Sequence, residues 1–211
     1  MAVEDKHVYA PAEGHGLAHD PFNAIVGPRP IGWISTVSDQ GLRNLAPYSF
    51  FNGFNYTPPI VGFSSTSWKD SVANVEATGE FVWNLATRAL AEQMNATSAA
   101  APHDVDEFEL AGLTPAPSLR VKAPRVAESL VNFECRVTQI VRLKSAAGAE
   151  IDAWVTFGEV VMAHIHRSLI KDGVYDTAAA HPILRAGGPS AYIEVTPEAF
   201  FHMRRPRYPA P

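Results

Sequence analysis

From Val131 to Thr138 the chain alternates apolar and polar residues without a break. Val131, Phe133, Cys135 and Val137 share one face; Asn132, Glu134, Arg136 and Thr138 share the other. A period of two marks a β-strand with one face buried. The turn-forming run Ala146-Ala147-Gly148-Ala149-Glu150 follows, and Ile151–His166 reads as the returning strand, bulged at Gly158. This long antiparallel pair constrains the chain more than any other feature, because every other element must fit around it. It turns Cys135 inward beside Phe133 and Val137, as a packing residue rather than a reactive thiol. It also puts His164 and His166 on one face, where a single histidine could line a ligand site.

The rest reads as short strands with helices between them. Ile31–Val37, the turn Asp39-Gln40-Gly41 and Leu42–Ala46 form a hairpin. Ile60–Ser65 is a buried strand behind Pro58-Pro59. Ser67-x-x-Asp70 matches a loose capping box ahead of a helix with Val72 and Val75 inward, stopped at Gly79. Phe81–Leu85 is a further strand, and Thr87–Ala100 a helix with Leu90 and Met94 one turn apart. An acidic helix over Asp104–Ala111 reads as a solvated face, since it lacks the spacing of a calcium loop. Thr114–Pro124 is a Pro-rich linker. Lys171–Pro211 is mostly irregular, with a short strand at Tyr192–Val195. Residues 1–22 form an arm, 23–195 one domain and 196–211 a tail. A mainly β barrel or sandwich follows.

Composition narrows the function. A net charge of −5 argues against a nucleic-acid binder. One cysteine allows no internal disulfide and fits a reducing compartment. No apolar run approaches the ~20 residues of a membrane helix, and the N-terminal residues lack the pattern of a signal peptide. A cytoplasmic protein is expected. His15 and His19 lie beside Asp20, but Gly14 and Gly16 disfavour a helix there, and they read as surface histidines rather than metal ligands.

Two stretches carry chemistry. In Asn44-Leu45-Ala46-Pro47-Tyr48-Ser49-Phe50, polar groups alternate with flat apolar surface, which suits a planar ring with polar edges. In Ser64-Ser65-Thr66-Ser67-Trp68-Lys69-Asp70-Ser71, hydroxyls and a cation precede a helix start, a natural phosphate site. A ring site and a phosphate site in tandem point to a nucleotide-like cofactor.

Pro28-Arg29-Pro30-Ile31-Gly32-Trp33-Ile34-Ser35-Thr36, Asn44–Phe51, Lys69-Asp70-Ser71, Thr78-Gly79-Glu80-Phe81, Gly158-Glu159-Val160-Val161 and Arg185-x-Gly187-Gly188 occur in that order. Together they resemble the flavin reductase-like family of FMN-binding split barrels. The subgroup nearest in pattern holds flavoredoxin-type proteins and reductases that serve flavoprotein oxygenases. The resemblance spans Asn23 to Tyr192.

It implies a six-stranded antiparallel Greek-key split barrel with flanking helices, built as a homodimer with FMN near the subunit interface. By the same resemblance the loop Asn44–Phe50 runs along the isoalloxazine ring, with an N–H from Ala46–Ser49 hydrogen-bonded to its O4 or N5. The segment Ser64–Asn74, with Ser64, Ser65, Ser67, Lys69, Asp70, Ser71 and Asn74, holds the phosphate. Ser35 and Thr36 approach the cofactor from a strand. His164 could contact the flavin or an incoming nicotinamide, or simply brace the strand pair. The implied activity is hydride transfer from NADH or NADPH to FMN, with a flavin-dependent oxygenase as a partner. A flavoredoxin-like electron carrier and a non-catalytic flavin-binding protein are the alternatives. No side chain is needed as a nucleophile, because the flavin carries the chemistry.

Overall fold

The computed structural model describes residues 5–208; the outer ends of the expected arm and tail, 1–4 and 209–211, lie outside them. Residues 5–21 are almost wholly exposed and hold one short turn, Pro11–Glu13. A one-turn helix α1 (Phe22–Ile25) then leads to β1 (Arg29–Pro30).

The body is one antiparallel sheet of seven strands where the family pattern suggests six. The foreseen hairpin is β2 (Gly32–Val37) and β3 (Arg43–Tyr48), in register from Gly32↔Tyr48 to Val37↔Arg43. β4 (Phe51–Tyr56) has no counterpart in the sequence reading: all but its first residue are exposed, so no apolar alternation marks it. It pairs with β5 (Pro59–Ser65). Helix α2 (Asp70–Thr78) ends at Gly79, whose left-handed φ of +71° lets its N–H reach the Val75 carbonyl at 2.9 Å. β6 (Glu80–Asn84) follows. The expected helix Thr87–Ala100 shrinks to a turn at Arg88–Leu90 and α3 (Ala91–Ala96). The acidic helix shrinks to α4 (Glu107–Leu110), capped by the Asp106 carboxylate on the Phe108 N–H. The Pro-rich linker carries a small ladder, β7 (Pro115–Ala116) with β8 (Arg125–Val126).

The long pair is β9 (Val131–Lys144) and β10 (Glu150–Ile165). Its register slips between Phe157 and Gly158, at the expected bulge. A Cβ at Gly158 would lie 2.4 Å from the Phe81 ring, so only glycine permits that approach. His166 falls beyond the strand and does not share a ladder face with His164; its ring accepts the Ser168 N–H instead. The C-terminal region is more ordered than the sequence suggests. It holds β11 (Ile170–Lys171), β12 (Val174–Tyr175), β13 (Ile183–Arg185) and β14 (Tyr192–Glu194), the last close to the expected strand.

The strand order β3-β2-β6-β9-β10-β5-β4 leaves β3 and β4 as margins, although they are consecutive in the chain. The sheet must therefore curl to bring its margins together. The Ser64 N–H donates to the Phe50 carbonyl at 2.8 Å, and the Tyr48 and Phe63 rings pack 4.8 Å apart. Inside lie Ile34, Phe63, Val75, Phe81 and Cys135, all essentially buried. Burial without a cationic neighbour pushes the Cys135 thiol well above its ordinary range, as suits a packing residue. Trp33 faces the other way, into a second cluster with Leu45, Met94 and Phe108 that seats α3 and α4 on the sheet.

Candidate functional site

The meeting of β3, the β3–β4 bend and the start of α2 leaves a cavity of about 480 Å³. Cofactor and small-molecule sites occupy roughly 300–1,000 Å³. Asn44, Ala46, Pro47, Tyr48, Ser49 and Phe50 line one side. Ser64, Lys69, Asp70 and Ser71 line the adjoining side, so the two stretches singled out in the sequence share one space.

The ring segment is not the loop that the resemblance implies: through Tyr48 it is edge strand. Leu45 directs its N–H away from β2, to the Glu107 carboxylate at 3.1 Å. Alternation along an antiparallel ladder then commits the N–H groups of Asn44, Ala46 and Tyr48 to β2. Pro47 has none. The donors expected from Ala46–Ser49 thus narrow to Ser49, joined by Phe50; neither N–H has a backbone partner among the described residues. Arg29, from the Pro-Arg-Pro motif, fixes this bend. Its guanidinium is buried, donates to the Ser49 carbonyl at 3.0 Å and to the Asn23 carbonyl, and lies over the Phe50 ring at 5.4 Å. Burial, with Arg185 nearby, holds its pKa below the usual arginine value.

Ser35, Thr36, Leu45, Ser65, Ser67 and Asn74 do not line the cavity. Thr36 Oγ1 accepts from the side-chain amides of both Asn44 (3.2 Å) and Asn74 (3.0 Å), and Asn44 also donates to Ser71 Oγ at 2.8 Å. This network ties β2 and β3 to α2. It occupies both Asn44 amide protons and leaves the carbonyl of that side chain for a ligand. Ser35 is buried with no hydrogen-bond partner, and Leu45 belongs to the core. Ser65 Oγ donates to the Ser67 carbonyl at 2.6 Å. The capping box is not made: Lys69 occupies the cap position, with no side-chain cap. Its ammonium has no partner among the described residues, whereas Asp70 meets His103 at 3.1 Å.

His164 does not line the cavity either. It contacts Glu134 at 2.6 Å. Glu134 is fully buried and also accepts the N–H groups of Leu119 (2.8 Å) and Arg120 (2.6 Å), anchoring the Pro-rich segment. Burial alone would raise its pKa; Leu119, His164 and Arg120 outweigh that and hold it below the usual range.

The facing wall was missed by sequence reasoning. Thr97, Ser98, Ala99, Ala100, Ala101 and Glu107 complete the cavity. Thr97 is itself fixed, accepting from Trp33 Nε1 at 3.0 Å and donating to the Met94 carbonyl at 2.8 Å. Arg43 Nε donates to Asp106 at 2.5 Å and Nη2 to Glu109 at 3.3 Å, holding α4 against β3. The acidic stretch is therefore not a solvated face at its start: Glu107 is 8% exposed. Burial pushes its carboxyl above the usual range, the Leu45 N–H opposes this, and Asp70 and Asp106 add to the rise. The only hint was the small-residue run after Thr97. Tyr48 is 7% exposed, and its hydroxyl has no hydrogen bond of ordinary geometry. Burial raises its pKa, while the Ser71 and Ser65 hydroxyls lower it.

These groups fit an FMN-like ligand. An unpaired ammonium, the hydroxyls of Ser64, Thr66 and Ser71 and the start of a helix suit a phosphate. Two N–H donors, an amide carbonyl and the Phe50 face suit a flat heterocycle.

Residues 27–183 match the model of the flavin reductase like domain family. An uncharacterised protein of Aquifex aeolicus is 39% identical over 170 residues, covering 78% of this chain and 83% of that protein. The structure of nitrilotriacetate monooxygenase component B from Bacillus cereus superposes with a TM-score of 0.80 at 28% identity, over 86% of this chain and 90% of that one. A protein described as a flavin reductase with a split barrel domain, from Shewanella frigidimarina, gives 0.74 at 25% identity, over 88% and 89%. This chain belongs to the flavin reductase like domain family.

Proposed function

We propose that the cavity holds FMN and that the protein is an NAD(P)H:flavin oxidoreductase. The observation that supports this most is the meeting of the Pro47–Phe50 edge with the unpaired Lys69 and the α2 start in one space. When bound, FMN supplies the hydride-accepting chemistry. The chain supplies binding and orientation. Ser49 and Phe50 offer N–H donors to the electron-rich ring edge, and Arg29 keeps their bend in place. Lys69, Ser64 and Ser71 offset the phosphate charge. No side chain acts as nucleophile or general acid, and His164, turned to Glu134, plays no direct part.

The similarity to a monooxygenase component supports a flavin-dependent oxygenase as the partner that receives reduced flavin. A homodimer is proposed through the uncovered margin β4, where Phe54 and Tyr56 are exposed. Among the described residues no helix is long and apolar enough to cross a membrane; a cytoplasmic location remains part of the proposal. Titration of the apoprotein with FMN, then anaerobic stopped-flow mixing with NADH and with NADPH, tests the reading. Quenching of flavin fluorescence followed by bleaching is expected. No quenching would overturn the cofactor assignment. Binding without bleaching by either nicotinamide would make the protein a flavoredoxin-like electron carrier. Light scattering that returns a monomer would overturn the dimer.

A further inference from the structure

We propose that Glu107 tunes the bound flavin, disfavouring its reduced, anionic form and so holding its reduction potential low. This rests on the reading that the cavity holds FMN. The Glu107 carboxylate is a wall of that cavity, buried, with one oxygen on the outward Leu45 N–H at 3.1 Å. Besides Leu45, only its own backbone N–H acts as a donor to this carboxylate among the described residues. Among the described residues no cation is paired with it. Arg43, which holds α4 against β3, is committed to Asp106 and Glu109. His103 is turned to Asp70, and Lys69 stands at the proposed phosphate end.

Two electrons and one proton convert the neutral oxidised ring into the anionic hydroquinone, with the proton on N5 and the added charge in the ring. In a space of about 480 Å³, any ring lies well within a Debye length of ~10 Å of the wall. The same charges separated by water would hardly interact; in a partly buried site they do. Glu107 therefore repels the reduced ring more than the oxidised one. Its position at the start of α4, one residue beyond the cap Asp106 and packed against the edge strand β3, keeps it there without a flexible approach.

The test measures dissociation constants of oxidised and dithionite-reduced FMN, and the midpoint potential by dye equilibration at pH 8. Glu107→Gln keeps an amide oxygen for the Leu45 N–H and removes the charge. It should tighten reduced over oxidised FMN by about tenfold, an upward shift of about 30 mV for a two-electron couple. Riboflavin should show the same change, because the effect acts on the ring. Glu107→Asp keeps the charge and should retain the wild-type ratio within about twofold. An unchanged ratio in Glu107→Gln would overturn the inference. So would an equal shift in Glu107→Asp, or a shift seen with FMN but not riboflavin, which would put the carboxylate at the phosphate. Should Glu107→Gln fail to fold, Glu107→Asp alone decides, and loss of the wild-type ratio there counts against the charge. A wild type that binds no flavin would instead overturn the cofactor reading, and this inference with it.

Discussion

Glu134, on β9, and Glu107, at the start of α4, are both buried carboxylates, yet their surroundings push them in opposite directions. Glu134 is enclosed and has three partners: two backbone N–H groups and His164. Glu107 has one strand N–H and its own backbone N–H, with two acidic neighbours and a cavity beside it. The first is held low in pKa and the second high. A carboxylate whose acceptor capacity is filled by the fold serves the fold. One left partly unsatisfied in the wall of a cavity is available to a ligand.

The sharpest way to break that contrast is Glu134→Ala. It strands the Leu119 and Arg120 N–H groups and His164 together, and about 3 kcal/mol of stability should be lost. Flavin affinity of the folded fraction should stay unchanged. Urea unfolding with and without FMN checks both, and a flavin-specific defect would put Glu134 in the site.

Lys69→Ala addresses the opposite charge at the cavity. Hydrogen bonds to charged groups are worth ~1.5–3 kcal/mol, so FMN affinity should fall about tenfold or more, and riboflavin affinity should hold. Equal losses in fluorescence titrations would place Lys69 away from the phosphate.

His164→Ala follows in size. Single-turnover reduction at saturating NADH should slow far less than the ~10²–10⁴-fold expected for a lost general acid or base. Abolished reduction with FMN retained would make the histidine catalytic.

The smallest effect is in acid melts. Glu134, depressed in the fold, contributes stability above the unfolded carboxylate pKa of ~4.3, and that contribution is lost as pH falls through its lower folded value. Glu107, raised, imposes a cost above its folded pKa that is relieved as pH falls towards ~4.3. Thermal scans of Glu134→Gln should therefore flatten the acid loss, and those of Glu107→Gln the gain above it. Scans that match the wild type in both variants would mean that neither group is perturbed.

Where residues carried a strict pattern, the sequence was enough to place them. The alternation at Val131–Val137 placed β9 and buried Cys135, and the Asp39–Gly41 turn placed the β2–β3 hairpin. β4 stayed hidden because its exposed residues have no apolar period, even though it pairs with β5 through a tight local hairpin.

The site divides the same way. Residue chemistry by itself marked Asn44–Phe50 and Ser64–Ser71, since a cation, hydroxyls and flat rings keep their character in any fold. Only the curl of the sheet decided that they share one cavity, and that Thr36 and Asn74 serve as struts behind it. The packing of α4 on β3 decided the rest: it buries Glu107 within reach of one strand N–H, although in sequence that residue is one acid among several. Burial and proximity are properties of the assembled chain, and a carboxylate's role depends on them more than on its identity.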